Sequence, residues 1–348
     1  MEFTELIKDL SGKKDHLHCL LVQPSYYSTY PPLGLLKIST LLKSQGYTTE
    51  LVTQLEHPQR EPDVILVTSL FTYSWAKVKE AVDFYRTMYP SKPIVVGGIY
   101  ASLLPEQCPD YSLIPDWNAS ILFSSRGCIR RCPFCVVWKI EPEYKATDSI
   151  ERLINPSHDK IIFWDNSFLA SPYKFDILDF LITYRNEKGK RCEVDFNQGL
   201  DARLITEPIA EKIKQLKMPL VRLAYDKIQD RPYLMSAIGM LKAVGVSPKD
   251  ILVYTLYNYK DTPEDFLRRL NDIMSLGAVA YPMRYQPVDA LEKDTYIAPN
   301  WSAELLEMVA KAQRVLGTHG AFPPYEGLVK KFGNAKDLEE AMSLREAV

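Results

Sequence analysis

Three of the six cysteines in this 348-residue sequence, Cys128, Cys132 and Cys135, fall within eight positions. They lie in the run Ser125-Arg126-Gly127-Cys128-Ile129-Arg130-Arg131-Cys132-Pro133-Phe134-Cys135. A segment this short can curl three thiolates around one soft metal centre, and thiolates select zinc or iron–sulfur clusters. A structural zinc site wants four closed ligands, usually as two Cys-x-x-Cys or Cys/His pairs. No histidine stands nearby, and Cys19, Cys108 and Cys192 are distant and show no pairing pattern. Three thiolates on a four-iron cluster leave one iron open to a small molecule, which is the arrangement of a catalytic centre. A zinc knuckle is the competing reading of the three residues. A cluster that senses redox state without catalysis, and a zinc-stabilised nucleic-acid-binding module, are the rivals in function.

The elements around this loop must hold it open to one side. Apolar runs at 118–125, 160–166, 192–198, 220–226, 251–258 and 279–286 read as strands, the first delivering the chain into the cysteine loop. Helical spacing at 175–184, 207–216, 232–244 and 263–276 fills the intervals. Thr262-Pro263-Glu264-Asp265 is a helix start, with a hydroxyl cap, proline at the first position and acids in the first turn. In a barrel of such units, chemistry collects at the strand C-terminal ends. That nominates Asp165 and Asn166 on the second strand, and Asn197, Gln198, Asp201 and Arg203 on and after the third. A buried polar group without a partner loses roughly 1–3 kcal/mol. A strand end so rich in polar groups therefore reads as a contact surface or as an internal salt-bridge network. Arg222, Tyr225 and Asp226 end the fourth strand, Tyr254, Tyr257 and Asn258 the fifth.

The first hundred residues show the same alternation. Strands are expected at 17–23, 48–53, 64–68 and 93–98, with helices at 33–45 and 76–88. Gly46 takes the usual place just past a helix C-terminus. The 64–68 run is continuously apolar, as a parallel-sheet strand covered on both faces should be. This pattern predicts a doubly wound parallel sheet. After the last strand, a helix is expected at 302–316, a loop at 318–325 and a closing helix at 338–344.

Basic and acidic residues number 42 and 44, a net charge of −2, so no global field draws the chain to nucleic acid or membrane. No apolar run approaches the roughly 18 residues of a membrane span. The acidic start, Met1-Glu2-Phe3-Thr4-Glu5, lacks the pattern of a signal peptide. Free cysteines fit a reducing cytoplasm.

The cysteine triplet, with aromatic Phe134 before its last member, resembles the signature of the radical S-adenosylmethionine superfamily. The resemblance implies a 4Fe–4S cluster on Cys128, Cys132 and Cys135, whose open iron takes the amino and carboxylate groups of S-adenosylmethionine. Phe134 would then lie near the adenine, and Asp165 and Asn166 near the amino group. Asn197, Gln198 and Asp201 would contact ribose or substrate, Arg203 would pair with the methionyl carboxylate or a local acid, and Tyr254 would face adenine and ribose. Cleavage of the sulfonium would give a 5′-deoxyadenosyl radical that abstracts hydrogen from an unactivated carbon, with an electron donor such as flavodoxin or ferredoxin as partner.

The N-terminal order of a strand, Pro-Pro-Leu-Gly-Leu-Leu, a helix ending in Gln-Gly-Tyr, Pro-Asp-Val-Ile-Leu-Val-Thr-Ser and Ile-Val-Val-Gly-Gly is similar to the cobalamin-binding-like domain that precedes many such cores. Carried over, Thr68, Ser69, Gly97 and Gly98 would approach the cofactor, although no Asp-x-His-x-x-Gly is present to ligate cobalt. The implied architecture is α/β: a Rossmann-like domain at 1–112, a six-stranded partial TIM barrel at 113–290, and a helical extension at 291–348 closing it. With cobalamin the expected outcome is methyl transfer; without it, epimerisation, cyclisation or rearrangement. No second cysteine triplet exists to hold an auxiliary cluster. No motif selects the substrate.

Overall fold

A computed structural model describes residues 16–98 and 108–344; the acidic start at 1–5 lies outside them. The chain forms two compact units. The first comprises Met1–Ile121, Arg152–Asn155 and Val288–Lys293, and the second Leu122–Glu151, Pro156–Pro287 and Asp294–Val348.

In the first unit, β1 (His18–Gln23), β2 (Thr48–Thr53), β3 (Val64–Thr68) and β4 (Ile94–Gly97) form one parallel sheet in the order β2-β1-β3-β4. Alternate side chains of its apolar runs supply two cores. Leu17, Cys19, Leu21, Val64 and Leu66 pack with Leu35, Ile38 and Leu42 of α1 (Leu33–Ser44). Leu20, Val22, Ile65 and Val67 pack with Val78, Ala81 and Tyr85 of α2 (Trp75–Met88). A strand clothed on both faces has no polar side to show, which is why these runs read as continuous. Helix α1 stops where Gly46 turns left-handed (φ +84), and the amides of Gly46 and Tyr47 close onto the carbonyls of Lys43 and Leu42. His18 is a core residue, its ring between Thr48 and Glu50.

β5 (Ala119–Leu122) carries the chain toward the second unit, where the Leu122 carbonyl accepts from the Trp164 amide (3.0 Å). There β6 (Ser125–Arg126) pairs antiparallel with β7 (Lys145–Ala146), and α3 (Val137–Ile140) lies between them in sequence. β8 (Lys160–Phe163) and β9 (Glu193–Phe196) are parallel, as are β10 (Val221–Ala224), β11 (Ile251–Tyr257) and β12 (Val279–Arg284). A single parallel bridge, Leu200 to Leu223, joins the segment after β9 to β10. The intervening helices are α4 (Lys174–Thr183), α5 (Glu207–Gln215), α6 (Arg231–Ala243) and α7 (Pro263–Ser275), each within two residues of its expected bounds. The Thr262 hydroxyl caps α7 by accepting from the Asp265 amide (3.2 Å). Helix α7 buries Phe266, Arg269, Leu270 and Ile273.

The tail departs from expectation. α8 (Ala303–Val315), capped by Ser302, and α10 (Leu338–Met342) stand where expected, but α9 (Glu326–Asn334) stands between them. Gly327 and Gly333 each weaken its helical signal by about 1 kcal/mol, and Phe332 is its one buried residue. The stretch read as a plain loop contains an antiparallel bridge in which Ala280 of β12 and Phe322 exchange both backbone hydrogen bonds (3.0 and 2.7 Å). Phe322 then packs on Phe332 at 5.2 Å, so tertiary burial fixes both elements. Among the described residues, no helix is long and apolar enough to cross a membrane.

Candidate active site

The cysteine loop is built from its own ends inward. The two residue pairs of β6 and β7, Ser125 with Ala146 and Arg126 with Lys145, clamp its base. Inside the clamp the Glu141 carboxylate pairs with Arg126 and accepts the Gly127 amide (2.9 Å). The Arg126 guanidinium lies over the Phe123 ring at 4.0 Å. Gly127 has φ +75, and an added Cβ would fall well inside contact distance of the Glu143 carbonyl oxygen. Replacing Gly127 with alanine therefore costs strain of order 1–3 kcal/mol unless the clamp opens. We expect Gly127→Ala to lose most of its capacity to hold iron, read as iron per chain after anaerobic reconstitution; wild-type loading would refute this.

Further in, the Trp138 indole donates to the Cys132 carbonyl (3.1 Å), and the Cys135 amide closes a tight turn on the same carbonyl (3.0 Å). The Arg130 amide donates to the Cys128 sulfur (3.3 Å), and the amides of Val136 and Val137 point at the Cys135 sulfur. All three thiols are free, half-buried and face one cavity of about 260 Å³. Burial pushes the Cys132 thiol up against the charges of Lys227 and Arg203, and burial likewise raises Cys135. Among the described residues, no three His, Cys, Asp or Glu side chains converge as the ligands of a single metal ion. Three soft donors sharing a cavity, with N–H groups directed at two of the sulfurs, fit an iron–sulfur cluster, whose potential such bonds tune.

Across the cavity stands the segment after β9. Gly199, at φ +84, turns the chain so that Gln198 and Asp201 line the cavity. Asp201 accepts from Arg203 at both oxygens (2.7 and 3.1 Å) and from Arg130 of the cysteine loop (2.9 Å). Arg203 thus takes the local acid as its bidentate partner. Burial alone would raise the Asp201 carboxyl, but the two arginines outweigh it and hold it below the ordinary 3.8. A depressed acid contributes stability above its unfolded value and loses it as pH falls through its folded value. The stability gap between wild type and Asp201→Asn should therefore be full at neutral pH and shrink below about pH 3.8, as read by urea melts across pH; a pH-independent gap would contradict the pairing.

Cys128, Cys132, Cys135, Phe134, Asn166, Gln198, Asp201 and Arg203 all line this cavity. Three expected members stand elsewhere. The Asp165 carboxylate is buried and accepts the Ser124 amide (3.0 Å) and the Ser124 and Ser125 hydroxyls, so it positions the entry to the loop. Tyr254 and Asn197 belong to a network in which Arg222 grips Asp195 (2.8 and 3.1 Å) and donates to the Tyr254 hydroxyl (3.2 Å), which reaches the Asn197 carbonyl (3.5 Å).

Asp226, just past β10, was legible as a strand-end acid but not as a member of the site. It lines the cysteine cavity and a second cavity of about 290 Å³, which also shares Phe134 and includes Tyr259 and Lys227. Phe134 meets Tyr259 edge-on at 5.8 Å. The Leu256 amide donates to Asp226 (3.0 Å), and burial raises its carboxyl.

In the first unit, Thr68 pairs in register with Gly97, and the Ser69 amide donates to the Gly97 carbonyl (2.7 Å). A Cβ on Gly98 would stand 2.7 Å from the Ser69 carbonyl oxygen, whereas one on Gly97 would meet open space. Strand packing accounts for the first glycine and leaves the second free.

No family model matches the chain. Among curated proteins, the lipoyl synthase of Vesicomyosocius okutanii subsp. Calyptogena okutanii (strain HA) is 26% identical over 229 residues, 56% of this chain and 67% of that protein. Among solved structures, the radical S-adenosylmethionine methyltransferase TsrM from Kitasatospora setae, with cobalamin and a [4Fe-4S] cluster bound, superposes with a TM-score of 0.59 at 14% identity. That superposition covers 87% of this chain and 79% of the other, a likeness of fold. The chain thus resembles the radical S-adenosylmethionine superfamily in its cysteine motif and in sequence over 56% of its length, and its fold is like that of TsrM.

Proposed function

We propose that the chain is a radical S-adenosylmethionine enzyme, with Cys128, Cys132 and Cys135 holding a 4Fe–4S cluster. The observation that carries this reading is the convergence of the three thiols and five further sequence-nominated residues on one cavity. Once reduced by a flavodoxin- or ferredoxin-type donor, the cluster supplies cleavage of S-adenosylmethionine to a 5′-deoxyadenosyl radical able to take hydrogen from an unactivated carbon. The protein's part is to bind and orient. Phe134 and Tyr259 offer flat walls to an adenine, while Asn166, Gln198 and the Asp201–Arg203 pair offer donors and acceptors to an amino acid head. Asp226 presents a carboxylate where the two cavities meet. We read β5 and β8 to β12 as the partial barrel that places these groups, and the first unit as a cobalamin-binding-like domain.

The first unit adds support for cobalamin. Gly97 is exposed and leaves open space, and Leu70, Phe71, Trp75 and Val96 on the same strand-end region of β3 and β4 are exposed apolar residues suited to a flat corrinoid. The reaction we favour is cobalamin-dependent methyl transfer to a carbon, in keeping with the activity and cofactors named for TsrM. Anaerobic reconstitution with iron, sulfide and hydroxocobalamin tests both parts. About four irons per chain, with 5′-deoxyadenosine formed on reduction, would support the radical reading, and a retained corrinoid the methyl transfer. Iron without corrinoid would move the reading to epimerisation, cyclisation or rearrangement, and zinc without iron would overturn it.

A further inference from the structure

A second site lies in the first unit, over the carboxyl ends of β1 and β2. The groove there holds about 920 Å³, the upper range for small-molecule pockets. Open parallel sheets bind ligands outside their strand C-termini. Its walls are aromatic. Tyr26, Tyr27 and Tyr30 come from the loop after β1, and Trp117 from the segment before β5. Tyr30 and Trp117 meet edge-on at 6.2 Å, and Tyr27 is 90% exposed.

The groove's polar lining includes the hydroxyls of Ser25, Ser28, Thr29 and Thr53 and two carboxamides. Gln23 ends β1 and Gln54 follows β2; both line the groove, and neither side chain has a hydrogen bond among the described residues. Gln54 sits at φ +83, a conformation that a side-chain-bearing residue rarely takes and that tends to mark ligand sites. Its backbone amide donates to the Gln23 backbone carbonyl (2.9 Å), so the two residues are held next to each other at the strand ends. Among the described residues, Asp116 is the single charged residue of the lining.

These features select a ligand class. Aromatic faces stack on flat rings regardless of ring identity. A glutamine side chain matches the paired donor and acceptor edge of a purine such as adenine. With no cation among the described residues of the lining, none of them offsets a phosphate. We propose that this groove binds an uncharged, planar nitrogen heterocycle with an amide-like edge, of the nucleoside or free-base type. The site is separate from the apolar face at β3 and β4. The sheet order β2-β1-β3-β4 puts the two at opposite halves of the sheet.

The test is titration of the full chain with adenosine, guanosine and uridine, reading tryptophan fluorescence in wild type and in Trp117→Phe. Saturable quenching that is absent in Trp117→Phe, and weakened about tenfold or more in both Gln23→Ala and Gln54→Ala, is the expected result. These variants should leave 5′-deoxyadenosine formation unchanged, which separates this groove from adenosine bound at the cysteine cavity. No saturable change with any of the three probes, or a change that persists undiminished in both glutamine variants, would overturn the proposal. Equal binding of adenosine monophosphate would contradict its restriction to uncharged ligands.

Discussion

Cys132→Ala should abolish both the cluster and S-adenosylmethionine cleavage while leaving the fold in place. Among the described residues the Cys132 side chain makes no hydrogen bond; what the loop uses is its backbone carbonyl, which accepts from Trp138 and from the Cys135 amide. Alanine keeps that carbonyl. The clamp between β6 and β7 and the Glu141 pairing also survive, since neither touches the thiol. With two thiolates left, the cluster loses one of its three attachments. Reconstituted variant should show background iron and 5′-deoxyadenosine at least three orders of magnitude below wild type, a loss of about 4 kcal/mol or more in transition-state terms. Circular dichroism and urea midpoint should change by less than about 1 kcal/mol. Undiminished 5′-deoxyadenosine would sink the assignment of this loop as the catalytic centre.

The second large effect is on stability. Arg269 of α7 is fully buried, yet all its reach is used. Its guanidinium donates to the Tyr225 and Leu256 carbonyls (3.2 and 2.7 Å), the Thr255 hydroxyl (2.6 Å) and Asp261 (2.6 Å). Burial lowers the arginine and raises Asp261, so desolvation weighs on both charges and the pair stabilises little on balance. Breaking it is another matter. Arg269→Met would strand a buried carboxylate and two carbonyls and should cost about 3–5 kcal/mol, against a total of about 5–15 for a typical fold. Denaturant melts would read this directly, and Asp261→Asn added to Arg269→Met should recover part of it. A loss below about 1 kcal/mol would show the network to be dispensable. Because Arg269 also holds the Leu256 carbonyl while the Leu256 amide holds Asp226, the loss should extend to the site.

Much of the site was legible because its chemistry is local. Three thiols within eight positions declare themselves, Phe134 comes with the motif that they resemble, and Asn166, Gln198, Asp201 and Arg203 follow from where strands end. What the sequence hides is which way an end residue turns. Asp165 and Asn166 are adjacent, yet one faces Ser124 and Ser125 at the start of β6 and the other the cavity, a choice made by the bend after β8. Tyr254 is drawn away by Arg222, whose partner Asp195 lies 27 positions off, and Asn197 meets that network through its backbone carbonyl. Asp226 needed both cavities in view. In the fold, strands and helices with strong periodicity were placed to within a few residues. Helix α9 was missed because its two glycines weaken the local signal and its one buried anchor, Phe332, rests on the distant Phe322.

The bonds that shape the cysteine loop have a consequence for its upkeep. Zinc fingers are unfolded until metal arrives, so metal and fold are gained and lost together. Here the clamp, the Glu141 carboxylate and the Trp138 indole fix the loop through the chain's own groups. Oxygen that destroys an iron–sulfur centre would then leave an intact cradle behind, ready to be refilled without a round of refolding. Repeated cycles of chelation and reconstitution should accordingly restore 5′-deoxyadenosine formation with little loss of protein, so that the metal is the consumable part and the polypeptide the durable one.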